Sequence, residues 1–310
     1  MKAARITEYG DPSVMVVTDI DKPEPGNGQV LVRVHASSIN PFDSKLRSGM
    51  FKDMIPLHLP AVLGGDIAGE VVALGGGVDS FAVGDKVFGQ AAAVAGNSGA
   101  FAEFAATKAG QIAKMPDNLS FTEAASLPLV GVSALQALTE HIKLTAGQTI
   151  LIIGGSGGIG SIAVQIAKHI GARVVTTATG DGVAMAKQLG ADEVIDYKTQ
   201  DYTQKLHDVD AVFDTAGQNV DAALRVLKKG GTLVSMVAPP NEALAKELGV
   251  TAMVQGTNVT TESLNKLSEL VAKGVVTPHV DKVYKLDAIV EAFKAKENGV
   301  VLGKVVIEVA

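Results

Sequence analysis

The stretch that decides the fold is ILIIGGSGGIGSIAVQIAKHIGARVVTTAT, which spans residues 150–179. An apolar strand runs from Thr149 to Ile153 and leads into a glycine loop, Gly154 to Gly160. Apolar residues then recur at helical spacing from Ser161 to Ile170, and a second apolar strand runs from Arg173 to Thr177. This order predicts one strand–helix–strand unit of a parallel sheet, in which the glycine loop joins the first strand to the helix.

The glycine loop has the chemistry of a diphosphate-binding turn. Gly154, Gly157 and Gly160 allow the backbone to approach a ligand closely, and the helix N-terminus presents N–H groups and a positive dipole to negative charge. Glycines alone would indicate only a tight turn between a strand and a helix. Because the flanking strands and the helix are all present, we predict that residues 154–160 bind a dinucleotide.

The end of the second strand indicates which dinucleotide binds. A unit that binds NAD carries Asp or Glu about 20 residues after its glycines, on the ribose hydroxyls. Here the sequence reads Ala178, Thr179 and Gly180. A 2′-phosphate, with about −1.5 to −2 charges, would be repelled by an acid but can be hydrogen-bonded by Thr179. We therefore predict NADPH, with NADH less favoured. Thr179 also suits an ordinary loop, and Asp181 remains an alternative partner for a ribose.

Composition excludes several classes of protein. Of the 310 residues, 47% are hydrophobic and 19% are charged, which is enough apolar material for a core and excludes a disordered chain. The chain has 27 Lys and Arg against 33 Asp and Glu, and this negative balance argues against binding to nucleic acid or anionic lipid. The absence of Cys excludes disulfides, thiolate metal ligands and a cysteine nucleophile.

The sequence predicts a cytoplasmic protein. Its first residues, MKAARITEYG, lack the apolar core of a signal peptide. No apolar run reaches the about 20 residues of a membrane-spanning helix, so we expect no membrane partner.

The length exceeds what one hydrophobic core usually organises, so we expect two domains. Before Asn118 the chain reads as short strands separated by Gly and Pro, which is typical of a β-barrel-like domain. Ser120 and Glu123 form a helix-capping pattern, after which strands and helices alternate as in a doubly wound parallel sheet. Further strands are predicted at 29–35, 67–74, 86–89, 193–195, 211–213, 232–237, 250–254, around 283 and at 304–309, and further helices at 127–141, 220–228, 261–273 and 287–296.

Several short motifs occur along nearly the whole chain. They are Asn40-Pro41-Phe42-Asp43, the run Gly64 to Val71, the run Gly84 to Gly89, the run Gly99 to Glu103, the run Leu127 to Ala134, the run Leu189 to Tyr197, Asp214-Thr215-Ala216-Gly217 and Gly303-Lys304-Val305-Val306. In this order, together with the glycine loop, they resemble the medium-chain dehydrogenase/reductase superfamily, and within it the zinc-independent quinone oxidoreductase branch that includes zeta-crystallin-like proteins.

The resemblance implies a GroES-like β-barrel catalytic domain at residues 1–120, completed by residues 275–310, and a Rossmann domain with a doubly wound parallel sheet at residues 121–274. Members of this branch commonly form homodimers through the edge strand of the Rossmann sheet, so a homodimer is expected.

The resemblance also implies roles for individual residues. Asn40 and Ser133 should lie near the nicotinamide and the substrate. The residues expected to bind the cofactor are Gly154, Ser156, Gly157, Gly158, Ile159, Gly160, Thr179, Tyr197, Ala216, Gly217 and Val237. The alternatives are that Asn40 caps the turn before Pro41, and that Ser133 is a helix-surface or packing residue. Asp43 is expected to cap the turn, or to pair with Lys45 or Arg47, rather than to act as a base.

The departures from the superfamily pattern concern metal. Zinc-dependent members carry a catalytic Cys and a Gly-His-Glu motif, where this chain has Asn40 and Gly64-Gly65-Asp66, and their structural zinc lobe needs four Cys. The six His form no spaced ligand pair. We therefore predict no metal site. The basic residue often found after the second strand in this branch is also missing, since the chain has Gly182 there, which weakens the prediction of NADPH.

Conjugated acceptors fit a site without metal. Reduction of a simple ketone places charge on one oxygen, which calls for a Lewis acid or a strong proton donor, whereas a quinone or an enone spreads that charge. We predict an NADPH-dependent oxidoreductase that reduces quinones or α,β-unsaturated carbonyls. The alternative is an NADP(H)-binding structural or regulatory protein with little turnover. An alcohol dehydrogenase would require zinc.

Overall fold

The computed structural model describes residues 1–309. The strands are β1 Lys2–Ile6, β2 Met15–Asp19, β3 Gln29–Ser38, β4 Ala61–Val62, β5 Asp66–Leu74, β6 Lys86–Gln90, β7 Phe104–Lys108, β8 Ile112–Lys114, β9 Thr149–Ile153, β10 Arg173–Ala178, β11 Glu193–Asp196, β12 Val209–Asp214, β13 Leu227–Ser235, β14 Thr251–Val254, β15 Val280–Lys285 and β16 Lys304–Glu308. The helices are α1 Pro41–Arg47, α2 Phe121–Ala125, α3 Pro128–Gln136, α4 Gly158–Ile170, α5 Asp181–Gln188, α6 Val220–Arg225, α7 Glu242–Leu248, α8 Thr261–Ala272 and α9 Ile289–Asn298.

The chain forms two compact units. The first contains residues 1–129, 259–272 and those from Pro278 onward, and the second contains residues 130–258 and 273–277. The domain limits expected from the sequence, 1–120 with 275–310 and 121–274, stay a prediction.

The first unit is built around β3. One side of β3 pairs with β5, and the other pairs first with β7 and then with β16, within a seven-stranded sheet. Val30, Val32 and Val34 share one face of β3 and are fully buried, because that face packs in a hydrophobic cluster with Ile67 and Val87. The pairing of β16 with β3 sets Val306 opposite Ser38, and this register brings the last strand to the start of α1.

The second unit is a six-stranded parallel sheet in the order β11-β10-β9-β12-β13-β14. Strand β9 is central, and Ile150, Leu151 and Ile152 are fully buried, which explains its uninterrupted apolar sequence. The strand order reverses between β9 and β12, the place where ligands bind in open α/β sheets. The doubly wound parallel sheet that the sequence predicts is therefore present in the second unit.

Several element boundaries differ from the sequence-based prediction. Helix α4 begins at Gly158 rather than at Ser161, because the last glycines of the loop already form its first turn. The helix predicted over 220–228 ends at Arg225, and β13 begins at Leu227, five residues before the predicted start. The first half of that strand was not predicted, because it contains two consecutive glycines, Gly230 and Gly231, and glycine is uncommon inside strands.

Candidate functional site

The glycine loop is tied to the neighbouring strand by its first two N–H groups. Gly154 adopts φ +88°, a conformation that favours glycine. Its N–H donates to Oγ1 of Thr177 at 3.0 Å, and the N–H of Gly155 donates to the carbonyl of Thr177 at 3.0 Å. These bonds fix the chain direction as it leaves the sheet.

Two further glycines are required by close approach. A Cβ at Gly155 would lie 2.0 Å from Oγ1 of Thr176, and a Cβ at Gly160 would lie 2.1 Å from the carbonyl oxygen of Gly154. Neither position has room for a side chain. The loop therefore packs directly against β10 and against the first turn of α4.

The start of α4 presents unpaired N–H groups. Gly157 is the N-cap residue, and its carbonyl accepts from the N–H of Ser161 at 2.9 Å. The N–H groups of Gly158, Ile159 and Gly160 precede that first intrahelical bond, so the helix offers them no acceptor. Residues 156–159 are partly exposed. Backbone donors at the positive end of a helix dipole fit a diphosphate, so these residues would hold one.

The other residues predicted to contact the cofactor all follow the carboxyl ends of parallel strands. Thr179 follows β10, Tyr197 follows β11, Ala216 and Gly217 follow β12, and Val237 follows β13. This is the edge of the sheet on which the glycine loop also lies, since the loop follows β9. Thr179 is buried, whereas the side chains of Tyr197 and Val237 are 47% and 44% exposed.

Asp214, which the sequence did not single out as a site residue, organises the β12 end of this edge. Its Oδ1 accepts from the N–H of Ala216 at 3.0 Å and from the N–H of Gly217 at 2.8 Å. Gly217 adopts φ +69°, and a Cβ there would lie 2.6 Å from the side chain of Val237. Ala216, Gly217 and Val237 thus form one surface. The signal was available in the sequence, because Asp214 ends an apolar strand immediately before a Thr-Ala-Gly turn.

The sequence-based prediction did not single out a lysine, Lys198, in the turn after β11. Ala178 pairs with Asp196 in the parallel register, and the N–H of Tyr197 donates to the carbonyl of Ala178 at 3.3 Å. The turn after β11, which contains exposed Lys198, is therefore beside the end of β10. Arg173 lies at the opposite end of β10 and pairs with Glu193 at 2.8 Å, so it is far from Thr179.

Ser133 lies on α3 in the second unit and is fully buried. Its Oγ is 2.7 Å from Oγ1 of Thr257, and its carbonyl accepts from Nε2 of Gln255 at 3.0 Å. These contacts suit a packing role, and the predicted place of Ser133 near the nicotinamide stays a prediction.

Asn40 lies in the first unit, between β3 and α1, and is 2% exposed. Its Nδ2 donates to Oδ2 of Asp66 at 2.8 Å, and its Oδ1 accepts from Nζ of Lys304 at 2.5 Å. Both ends of the Asn40 amide are therefore bonded to side chains that come from other elements. Neither Asp66 nor Lys304 was predicted as a site residue, although both stand in the quoted motifs, because nothing in the sequence places residues so far apart side by side.

Asp43 caps the turn, as one of the sequence-based alternatives predicted. Its Oδ2 accepts from the backbone N–H of Asn40 at 2.8 Å. It pairs with neither Lys45 nor Arg47, since Arg47 bonds instead to Oε1 of Glu297 at 3.0 Å. Burial, and then the nearby charge of Asp66, raises the pKa of Asp43 to about 7, against hydrogen bonds from backbone N–H groups.

Lys304 is buried beside two carboxylates. Its Nζ lies 3.5 Å from Oδ2 of Asp66 and donates to the carbonyl of Ile39 at 3.0 Å. Burial lowers the pKa of Lys304, while Asp66 and Asp43 act in the opposite direction. The four buried side chains Asn40, Asp43, Asp66 and Lys304 are called the Asn40 cluster below.

The part of the chain that the structure describes, residues 1–309, contains no group of three or more His, Asp or Glu side chains that could hold a metal ion. None of its helices is both long enough and apolar enough to cross a bilayer.

Family models match two parts of the chain. Residues 26–117 match the alcohol dehydrogenase GroES-like domain. Residues 189–307 match the model described as zinc-binding dehydrogenase. The second description is that of the model, and this chain has no Cys.

Known proteins resemble the chain over nearly its full length. It is 35% identical to 2-methylene-furan-3-one reductase of Solanum lycopersicum, with 99% of this chain and 79% of that protein covered. It is 34% identical to the chloroplastic NADPH-dependent alkenal/one oxidoreductase of Arabidopsis thaliana, and this match also covers 99% of this chain and 79% of that protein. The solved structure of the quinone oxidoreductase from Coxiella burnetii is 34% identical, with a TM-score of 0.91 and 100% and 99% of the two chains covered.

The resemblance inferred from the motifs is thereby confirmed over both units. Identity above 30% extends along the whole chain, and the fold agrees with that of a quinone oxidoreductase. The chain belongs to the medium-chain dehydrogenase/reductase superfamily, in its zinc-independent quinone oxidoreductase branch.

Proposed function

We propose that this chain is an NADPH-dependent oxidoreductase that reduces quinones or α,β-unsaturated carbonyls. The observation that carries the proposal is the edge of the six-stranded sheet, where the N–H groups of α4 lie beside the turns after β10, β11, β12 and β13. The relatives are named as reductases or oxidoreductases of a furanone, of alkenals and alkenones, and of quinones, and this agrees with the reaction class predicted from the sequence.

NADPH is the proposed cofactor. A relative that is 34% identical to this chain is named as NADPH-dependent, in agreement with the sequence-based prediction. In this chain no acid ends β10, and buried Thr179 is followed at the neighbouring strand end by Tyr197 and Lys198. Lys198 supplies the positive charge that the sequence lacks at Gly182. A 2′-phosphate at this edge would therefore meet a hydroxyl and an ammonium group rather than a carboxylate.

The bound cofactor would supply the hydride. The proposed role of Asn40 is to donate a hydrogen bond to the carbonyl oxygen of the acceptor. One or two such donors suffice for a conjugated acceptor, because the incoming charge is delocalised. The proton that completes the reduction of an enone would come from solvent. We propose contacts with the cofactor for Ser133, Ala216, Gly217 and Val237, supported by their places at or beside the strand ends.

The test is NADPH oxidation, followed by loss of absorbance, against a panel of quinones and enones. Acceptor-dependent oxidation is the expected result, with slower turnover when NADH replaces NADPH. Asn40→Ala should lower turnover of the enones without changing NADPH affinity. Tight NADPH binding without oxidation in the presence of any acceptor would instead favour a structural or regulatory nucleotide-binding protein.

We also propose a homodimer, located in the cytoplasm. Support for association comes from β14, which forms one edge of the six-stranded sheet and carries Val254 with 49% exposure. Light scattering should give twice the chain mass of 31.8 kDa. A mass of one chain at micromolar concentration would contradict the proposal.

A further inference from the structure

Oppositely charged side chains hold the two ends of the Asn40 amide. Lys304 can only donate and contacts Oδ1, whereas the carboxylate of Asp66 can only accept and contacts Nδ2. Rotating the amide by half a turn would set its oxygen against the carboxylate and its N–H groups against the ammonium. The two charged partners therefore permit one orientation of the amide.

The partners are themselves fixed. Oδ2 of Asp66 also accepts from Oγ of Ser38 at 2.8 Å, and Oδ1 accepts from the N–H of Leu129 at 3.0 Å. The ammonium of Lys304 is anchored on the carbonyl of Ile39 at 3.0 Å. Asp66 is fully buried and Lys304 is 5% exposed, so water does not compete for these bonds. The amide is thus held by a side chain from β5 and a side chain from β16, and each of these two is fixed by hydrogen bonds of its own.

This arrangement leaves one proton of Asn40 available. The bond to Asp66 uses one of the two Nδ2 protons, and no hydrogen bond of the described residues takes the other. A cation on Oδ1 withdraws electron density from the amide nitrogen, which strengthens the remaining N–H as a donor. An amide in the reverse orientation would present a carbonyl, which cannot stabilise negative charge on an acceptor oxygen.

We propose that Lys304 is a positioning residue that fixes the Asn40 amide with its second Nδ2 proton available to the carbonyl oxygen of the acceptor. The inference rests on the proposed reduction of quinones or enones. Lys304 acts through Asn40 and does not itself touch the acceptor or the cofactor.

The kinetic test uses the full chain with NADPH and a simple enone. Lys304→Met should lower kcat at least tenfold and leave the Kd of NADPH unchanged, and Lys304→Arg should restore part of the loss. In the Asn40→Ala background, Lys304→Met should have no further effect on kcat. Equal losses of kcat in both backgrounds would overturn the proposal, because a general structural defect does not depend on Asn40.

Controls separate positioning from folding. Lys285→Met removes an exposed lysine that pairs with Glu308 on the neighbouring strand, and it should leave kcat unchanged. If Lys304→Met does not fold, the double variant Lys304→Met/Asp66→Asn removes both buried charges together. This variant should lose turnover as Asn40→Ala does. Wild-type kcat in the folded double variant would overturn the proposal.

A second readout does not need turnover. The side-chain amide signals of Asn40 can be assigned by nitrogen-15 NMR as the pair that disappears in Asn40→Ala. We expect two well-separated proton signals with slow exchange, and their merging and faster exchange in Lys304→Met. Identical signals in both proteins would overturn the inference. A wild-type protein without turnover of any acceptor would contradict the proposed function, and the NMR result would still decide the orientation of Asn40.

Discussion

The backbone N–H of Asn40 donates to the carboxylate of Asp43 across 2.8 Å, in a part of the first unit that water does not reach. Burial raises the pKa of this carboxyl from 3.8 to about 7. At a pH between these two pKa values, the carboxyl of Asp43 is protonated in the folded protein and ionised in the unfolded chain. The contribution of Asp43 to stability is therefore complete below pH 3.8 and is lost as the pH rises through 7.

The first prediction concerns this pH dependence. Replacing Asp43 by Asn removes the titrating group and keeps an acceptor for the N–H of Asn40. The free energy of unfolding of Asp43→Asn, relative to wild type, should increase between pH 5 and pH 7.5, by at most about 1.4 kcal/mol per pH unit. Urea unfolding at both pH values measures it. A difference that does not change with pH would show that Asp43 titrates normally.

The second prediction concerns the glycine loop. Gly160→Ala places a Cβ 2.1 Å from the carbonyl oxygen of Gly154, so the loop must move. We expect a loss of stability of about 1–3 kcal/mol and at least tenfold weaker NADPH binding, measured by fluorescence titration. Gly110→Ala is the matched control, because nothing lies within 4 Å of a Cβ there. NADPH affinity equal to wild type in Gly160→Ala would place the diphosphate elsewhere.

The third prediction concerns the choice of nicotinamide cofactor. Lys198→Met should weaken NADPH binding about tenfold and leave NADH binding unchanged, because only NADPH carries the 2′-phosphate. Lys187→Met, which removes an exposed lysine from the last turn of α5, should change neither. Raising the salt concentration should reduce the difference between the Lys198 variant and wild type. Equal losses of NADPH and NADH affinity would refute a contact with the phosphate.

The fourth prediction concerns stability of the first unit. The guanidinium of Arg47 is buried, bonds to Glu297 at 3.0 Å and to the carbonyl of Gly10 at 3.1 Å, and lies over the ring of Phe293. Arg47→Met leaves the Glu297 carboxylate without this partner and should cost about 2 kcal/mol of unfolding free energy. Lys266→Met breaks the exposed i,i+4 pair with Glu262 and should cost about 0.5 kcal/mol or less. Urea titration distinguishes the two values.

The sequence predicted best where structure is local. Thr149–Ile153 was placed correctly because an apolar run before a glycine loop has few alternatives. The Ser120–Glu123 cap was also correct, since both of its hydrogen bonds are made within three residues. Strands β1 and β2 were not predicted individually, because each has only five residues and neither alternates regularly between buried and exposed positions.

The candidate site was predicted only in part, because some of its contacts join residues that are far apart in the sequence. The residues of the glycine loop and the strand ends follow from the order of elements, and they all lie on one edge of the sheet. The Asn40 cluster does not follow, since Lys304 and Asn40 are 264 residues apart. The π-helical turn at Ala137–His141, which ends the helix predicted over 127–141, likewise depends on packing that no local pattern specifies.

The pairing of β16 with β3 also sets an order of events during translation. The ribosome completes β3 and the whole six-stranded unit long before it makes Lys304. Until then Asp66 has no ammonium partner, and one side of β3 near Ser38 has no neighbour. The second unit is complete in sequence before β16 is made, so we expect it to fold before the seven-stranded sheet is complete.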